Sequence, residues 1–288
     1  MSHLEAEVHA DHGNHFRFQN IRWPHLLGIA VLHVGCLFAP FQFSWSALIV
    51  AFFLYWFVLS FGVSMCYHRL LTHRSFETPR FFRYFLTMVA SLAWQGGPIY
   101  WVGTHRVHHR ESDTDLDPHS PHHGFSWGHM LWCLVNDTHG RDPAEATKDL
   151  VKEPFMLWME KYFFVPQFVL AGILYFIGGW PWVVWGICVR TVFTYHATWF
   201  VNSASHLWGY RNFNTREESR NNWWVALLSW GEGWHNNHHA HQRSASFRVR
   251  WFEFDPTFAA IKVLSWIGLA RNIYVPEDPL GSSTAIGR

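Results

Sequence analysis

Three histidine motifs carry the chemistry that this chain could do: His68-Arg69-Leu70-Leu71-Thr72-His73, His105-Arg106-Val107-His108-His109 and His235-Asn236-Asn237-His238-His239. A further histidine, His206, follows Asn202 by one helical turn. The second and third motifs share the spacing i, i+3, i+4, which puts three imidazoles on one face of a helix. The first has spacing i, i+5, about 140° apart on an ideal helix, so a bend between His68 and His73 is expected. Histidine is the commonest metal ligand. One ion takes four to six ligands, so these nine imidazoles suit two ions with positions left open for O₂ or water. Ligation by nitrogen alone fits iron, copper, nickel or zinc. Each ligating ring needs its second nitrogen satisfied, and Asp113, Asp115, Asp117, Glu217, Glu232 and Glu253 are candidate partners.

The other histidines invite plainer readings. His3, His9, His12 and His15 read as solvated tail residues, and His119, His122, His123, His129 and His139 as residues shaping a connecting region. His196 lies ten residues before His206, and a hydrogen-bonded structural role is expected for it.

Elements able to bring the motifs together must be membrane helices. Hydrophobic residues make up 49% of the 288 and charged ones 15%, against roughly 25% charged in ordinary globular domains. The 19 Trp and 26 Phe suit a protein that needs rings at two interfaces. A bilayer core needs about 20 apolar helical residues, and four stretches come near that: 24–40, 43–67, 163–178 and 181–201. The joints at Pro40-Phe41-Gln42 and Gly178-Gly179-Trp180 are so short that the spans form two hairpins. A fifth apolar run, Phe81 to Trp101, is broken by Arg83, Gln95, Gly96, Gly97 and Pro98, and reads as a buried or interfacial helix.

The expected fold is therefore all-α and multi-pass. Two hairpins of transmembrane helices carry a cytoplasmic helical cap that holds the histidine-rich site, in a single domain over 1–288 with a flexible tail at 1–20. Of the 22 Lys and Arg, only Arg190 falls between Trp23 and His68 or between Tyr162 and Asn202; every other one lies on the shared side, which the positive-inside rule makes cytoplasmic. Arg190, costly in lipid, must pair inside the bundle or snorkel. A net charge of +1 gives no basic field for nucleic acid. Cys36, Cys66, Cys133 and Cys188 show no Cys-x-x-Cys and read as small apolar residues.

With the three motifs and the Asn202-Ser203-Ala204-Ser205-His206 element, the chain resembles the membrane fatty acid desaturases of the Δ9 (stearoyl) type from about Trp23 to Ile273. The resemblance implies a di-iron centre with His68, His73, His105, His108, His109, His206, His235, His238 and His239 as ligands and Asn202 reaching a metal through water. It also implies a bent acyl tunnel, with Gln95, Trp101, Thr198 and Trp199 at its kink. Trp94-Gln95-Gly96-Gly97-Pro98 and Trp101-Val102-Gly103-Thr104-His105 are similar to the cyanobacterial and plant branch. Animal acyl-CoA enzymes carry an Arg-Asp pair where this chain has Gly103-Thr104, which favours acyl-lipid over acyl-CoA substrates.

The implied reaction is an O₂-dependent insertion of a cis double bond into a saturated acyl chain. Its two electrons must come from a separate donor of the ferredoxin or cytochrome b5 type, and the setting expected is a bacterial inner membrane. The alternative is a membrane di-iron hydroxylase of alkanes or lipids, which would yield an alcohol. A metal transporter would need ligands along the spans, where only His33, Arg190 and His196 stand.

Overall fold

A computed structural model describes residues 20–136 and 142–281. The expected flexible tail up to residue 19, with its four histidines, and His139 lie outside the described residues. α1 (Trp23–Cys36) starts with Pro24 in its first turn, where a missing N–H costs nothing. A short 3₁₀ turn, Ala39–Gln42, reverses the chain. Ser44 then caps α2 (Trp45–Thr72) by accepting from the Ala47 N–H at 3.2 Å.

From Phe57 to Thr72 this helix takes the wide π-type winding. The His73 N–H bonds the His68 carbonyl five residues back, at 3.1 Å. Such i→i+5 bonding brings His73 edge-on to His68, with ring centroids 4.8 Å apart. The bend expected between them is replaced by a change of helical pitch.

The run from Phe81 to Trp101 divides into α3 (Arg80–Ser91) and α4 (Pro98–Glu111). Between them Trp94 and Gly96 take positive φ, 58° and 104°. The short α5 (Phe125–His129), α6 (Pro143–Ala146) and α7 (Pro154–Tyr162) follow.

α8 (Val165–Val183) runs into α9 (Arg190–Leu207) through a segment of wide π-type winding, Val184–Val189. The apolar run reverses at Gly179, whose φ of 66° and ψ of −160° are not helical. Gln167 Nε2 donates to Thr191 Oγ1 at 2.9 Å, whereas 24 residues of straight helix would hold them about 36 Å apart. A Cβ on Gly186 would meet Leu174 at 2.7 Å, so the arms pack closely. The two reversals are neighbours: Trp182 Nε1 donates to Ser46 Oγ at 3.1 Å and Trp185 Nε1 to the Ala39 carbonyl at 3.2 Å.

α10 (Trp223–Leu228), α11 (His235–Ala240) and α12 (Pro256–Trp266) complete the order. Among the described residues there are isolated β-bridges and no strand. Met65, Cys66 and Leu70 of α2 pack with Leu86 of α3, Val102 of α4 and Ile261 of α12 beneath the histidine motifs. All four cysteines are free.

Two helical runs, Trp45–Thr72 and Val165–Leu207, are long and apolar enough to cross a membrane, and Trp23–Cys36 is a shorter apolar helix. Phe41 and Phe176, beside the two reversals, are 82% and 87% exposed. Neighbours such as Leu37, Trp45, Ile177 and Trp180 are exposed with them, an apolar surface of the kind a lipid environment would cover. Arg190 is buried inside the bundle. It donates to the Gly186 and Leu92 carbonyls and, at 2.8 Å, to Gln167 Oε1.

Candidate metal centre

α2 and α9 deliver His68 and His206 to one end of the bundle, where α4 and α11 supply the second and third motifs. The nine histidines fall into two groups whose ligand atoms lie within 4.8 Å of one another: His68, His73, His105, His109 and His238 in one, His108, His206, His235 and His239 in the other. His206 stands in the last turn of α9.

The local sequence explains why α11 can sit there. Gly231 has φ 112°, and a Cβ on Gly233 would lie 2.1 Å from the Ala226 nitrogen, so no side chain fits at that crossing. The two central asparagines of the third motif are buried. Asn236 Oδ1 accepts from the Asn212 and Phe213 N–H groups, both at 2.8 Å. Asn237 Oδ1 accepts from Asn212 and Asn221 Nδ2, again at 2.8 Å, while its Nδ2 donates to Glu253 and to the Phe247 carbonyl. The motif is thereby locked in orientation from behind.

Four of the six expected carboxylates meet histidine. His108 Nδ1 donates to Asp117 at 2.9 Å and His206 Nδ1 to Asp113 at 3.0 Å. His239 Nδ1 lies 3.5 Å from Glu217, and His68 Nδ1 donates to Glu232. Burial alone would raise the Glu232 carboxyl, but His68 and Arg69 outweigh it and hold it at about 2. Glu253 acts instead through Asn237 and Asn212, and Asp115 is exposed. Arg69, wholly buried, links Glu232 to Asp255 at 3.0 and 2.8 Å and lies over the Phe247 ring.

These bonds decide which nitrogens face inward. A neutral imidazole whose Nδ1–H is given to a carboxylate has a bare lone pair at Nε2. Nε2 of His68 is 3.0 Å from Nε2 of His238, which is 2.9 Å from that of His109. In the other group, Nε2 of His108 is 3.4 Å from Nε2 of His239, and Nε2 of His206 is 3.0 Å from that of His235. His73, His109, His235 and His238 each also keep a buried ring nitrogen without a hydrogen bond. Convergent lone pairs in a buried site repel, and a cation at the centre of each group removes the conflict. The donor set fits a pair of divalent transition metals.

A mostly apolar cavity of about 440 Å³ reaches this centre, with His68, His105 and His235 on its wall. Asn202 lines the cavity and belongs to neither histidine group. Gln95, Trp101, Thr198 and Trp199 all line it too. Trp101 Nε1 donates to Gln95 Oε1 at 3.1 Å, and Gln95 Nε2 donates to Thr198 Oγ1 at 3.0 Å. His119, read as a plain connecting residue, is buried against His108 and Asp117. Burial and the neighbouring His108 push its pKa down to about 3. His196 is hydrogen-bonded to His33 at 3.3 Å and to His129 at 3.0 Å, the structural setting expected for it.

Residues 43–264 match the family model of the fatty acid desaturases, and the chain belongs to that family. It is an oxidoreductase, a fatty acyl desaturase. It is 48% identical over 259 residues to an sn-1 stearoyl-lipid 9-desaturase of Anabaena variabilis, covering 89% of this chain and 95% of the relative. An sn-2 palmitoyl-lipid 9-desaturase of Nostoc sp. (strain 36) is 44% identical over 91% of this chain and 93% of its own length. An acyl-CoA C20 Delta5-desaturase of Anemone leveillei is 45% identical over 88% and 82%. Lipid-linked and CoA-linked relatives thus match almost equally well.

Proposed function

We propose that the chain is a membrane acyl-lipid desaturase that introduces a cis double bond at position 9 of a saturated chain, using two irons and O₂. The observation that carries this reading is the convergence of the nine histidines into two groups at the inner end of one apolar cavity. His68, His73, His105, His109 and His238 would hold one iron, and His108, His206, His235 and His239 the other. Asn202, on the cavity side, would reach the second through water. Bound there, iron supplies the O₂-dependent oxidation that takes two hydrogens from adjacent methylenes, a step no side-chain acid or base can perform.

The protein's own work is positioning. The cavity wall excludes water and confines the chain, while the Trp101–Gln95–Thr198 hydrogen bonds hold the wall rigid where the chain must bend. Asp113, Asp117, Glu217 and Glu232 fix the ring orientations and offset part of the metal charge.

Four spans in two hairpins are supported by the reversals at Ala39–Gln42 and Gly179 and by the exposed phenylalanines beside them. The lysine and arginine distribution supports a cytoplasmic site, and the cyanobacterial relatives support a bacterial inner membrane. Electrons would come from a separate ferredoxin or cytochrome b5-type protein.

The decisive experiment is expression in a desaturase-deficient host with chromatography of its lipids. New 9-monoenes are expected, and none in His109→Ala or His238→Ala variants that still insert. An alcohol product would establish the hydroxylase reading instead, and unsaturation retained in both variants would sink the proposed site.

A further inference from the structure

The cavity has a second end. Away from the histidines its wall includes Pro24 and His25 at the start of α1 and Phe164 and Phe168 at the start of α8. Phe164 and Phe168 are 38% and 62% exposed, so this opening is rimmed by apolar side chains that face outward. A water-filled access path would be rimmed by polar groups. One rimmed by exposed phenylalanines faces lipid.

Beside the same opening stands a cation. The Arg22 guanidinium lies over the Tyr100 ring, 4.5 Å from its centroid, and donates to the Tyr100 hydroxyl. Its second terminal nitrogen is 2.9 Å from His25 Nε2. Both Tyr100 and His25 line the cavity. Among the described residues no carboxylate lies within ion-pair distance of Arg22, and only these two side-chain contacts use its donors. A guanidinium is rigid, planar and always charged; Arg22 is not itself on the cavity wall and meets it through Tyr100 and His25, which are.

We propose that Arg22, set by Tyr100 and His25, binds the ester carbonyl of a lipid-linked acyl chain that enters sideways from the bilayer, and so fixes which methylenes reach the histidines. The assignment rests on the acyl-lipid reading above. Its geometry follows from α4: Tyr100 and His105 lie five residues apart on one helix, about 7.5 Å along its axis. An ester held at Tyr100 is therefore a fixed distance from the cage, and position along the chain is counted from the carbonyl end. One guanidinium suits an ester oxygen. A phosphate-rich soluble carrier would call for several cations, and the adjoining Gly103-Thr104 supplies none.

The test uses the full-length, iron-loaded protein with ferredoxin and its reductase, in vesicles carrying stearoyl chains either on phosphatidylglycerol or on a neutral galactolipid. Rates give KM and kcat, and mass spectrometry gives the double-bond position. Arg22→Gln is expected to raise KM about tenfold or more with both lipids, as loss of a charge-assisted hydrogen bond predicts, and to spread the double bond over neighbouring positions. Arg22→Lys should recover part of the KM. Tyr100→Phe, nearly isosteric, should spread the positions at unchanged iron content, which keeps the test valid if Arg22→Gln fails to fold.

Unchanged KM and a single product position in Arg22→Gln would overturn the assignment while leaving the desaturase reading intact. A loss confined to phosphatidylglycerol would place the phosphate, not the ester, at Arg22 and would overturn it too. Wild-type protein that makes alkene only from stearoyl-CoA would remove the acyl-lipid reading and this inference together.

Discussion

The two histidine groups are built differently. In the group of His108, His206, His235 and His239, three rings face carboxylates: Asp117, Asp113 and Glu217. In the group of His68, His73, His105, His109 and His238, only His68 does, and its partner Glu232 is shared with the buried Arg69. The smaller group thus gathers negative charge around fewer imidazoles, while the larger relies on more rings and on packing against residues such as Phe247 and Trp101. Charge and ligand number offset each other, so two ions can be retained by unequal cages. On the proposed di-iron reading the carboxylates of the first would serve to hold metal, whereas Glu232 also belongs to the fold.

The largest effects should come from the rings themselves. His238→Ala and His235→Ala, one in each group, should each abolish measurable desaturation. Iron analysis of the purified variants should show one equivalent lost at first rather than two. Equal loss of both ions from each variant would mean that the groups form a single cooperative site.

The carboxylates then separate the groups. Asp117→Asn and Glu217→Gln should weaken retention of one ion by roughly 10–100-fold, measured by chelator competition, with little change in the melting temperature. Glu232→Gln should weaken retention of the other ion and, unlike those two, also lower stability. Arg69 keeps Asp255 as a carboxylate partner, so the loss expected is that of charge-assisted hydrogen bonds, about 1.5–3 kcal/mol, visible in detergent melting even without iron. A Glu232→Gln protein as stable as wild type would remove the distinction between the two kinds of carboxylate.

How much of this could be read in the sequence follows the same divide. The convergence of the rings is legible because i, i+3, i+4 spacing is a local property of one helix, and that of His206 because it ends an apolar run. Asp113, Asp117, Glu217 and Glu232 could be named as partners, but not assigned to rings, since pairs such as Glu232 with His68 are closed by tertiary packing. The pitch change that brings His73 edge-on to His68 left no signal in residue type. Asn236 and Asn237 carry no reading from the sequence, because their buried network with Asn212, Asn221 and Glu253 is closed by tertiary packing. The opposing Gly179 reversal was legible, since three residues of turn chemistry interrupt an otherwise continuous apolar run.

The smallest effect concerns a contact that serves both groups equally. Arg106, between His105 and His108 on α4, donates to Asp149 at 2.7 and 3.0 Å and to the Leu71 carbonyl at 2.7 Å, so it ties the second motif to the end of α2. Arg74 adds a further bond to Asp149 at 2.8 Å. Burial tends to raise the Asp149 carboxyl, but the bonds from Arg106 and Arg74 outweigh it and hold it well below its usual range. A carboxyl lowered in the folded state adds stability that is complete above its unfolded value of about 4 and is lost as pH falls through the folded value. Asp149 and Arg74 are partly exposed, so solvent screening limits the contribution to about 0.5–1 kcal/mol. Asp149→Asn should therefore melt slightly below wild type at neutral pH and converge on it in acid. Both ions should be retained equally, which sets this clamp apart from Asp117 and Glu217. A preferential loss of one ion in Asp149→Asn would show instead that α4 positions one group more than the other.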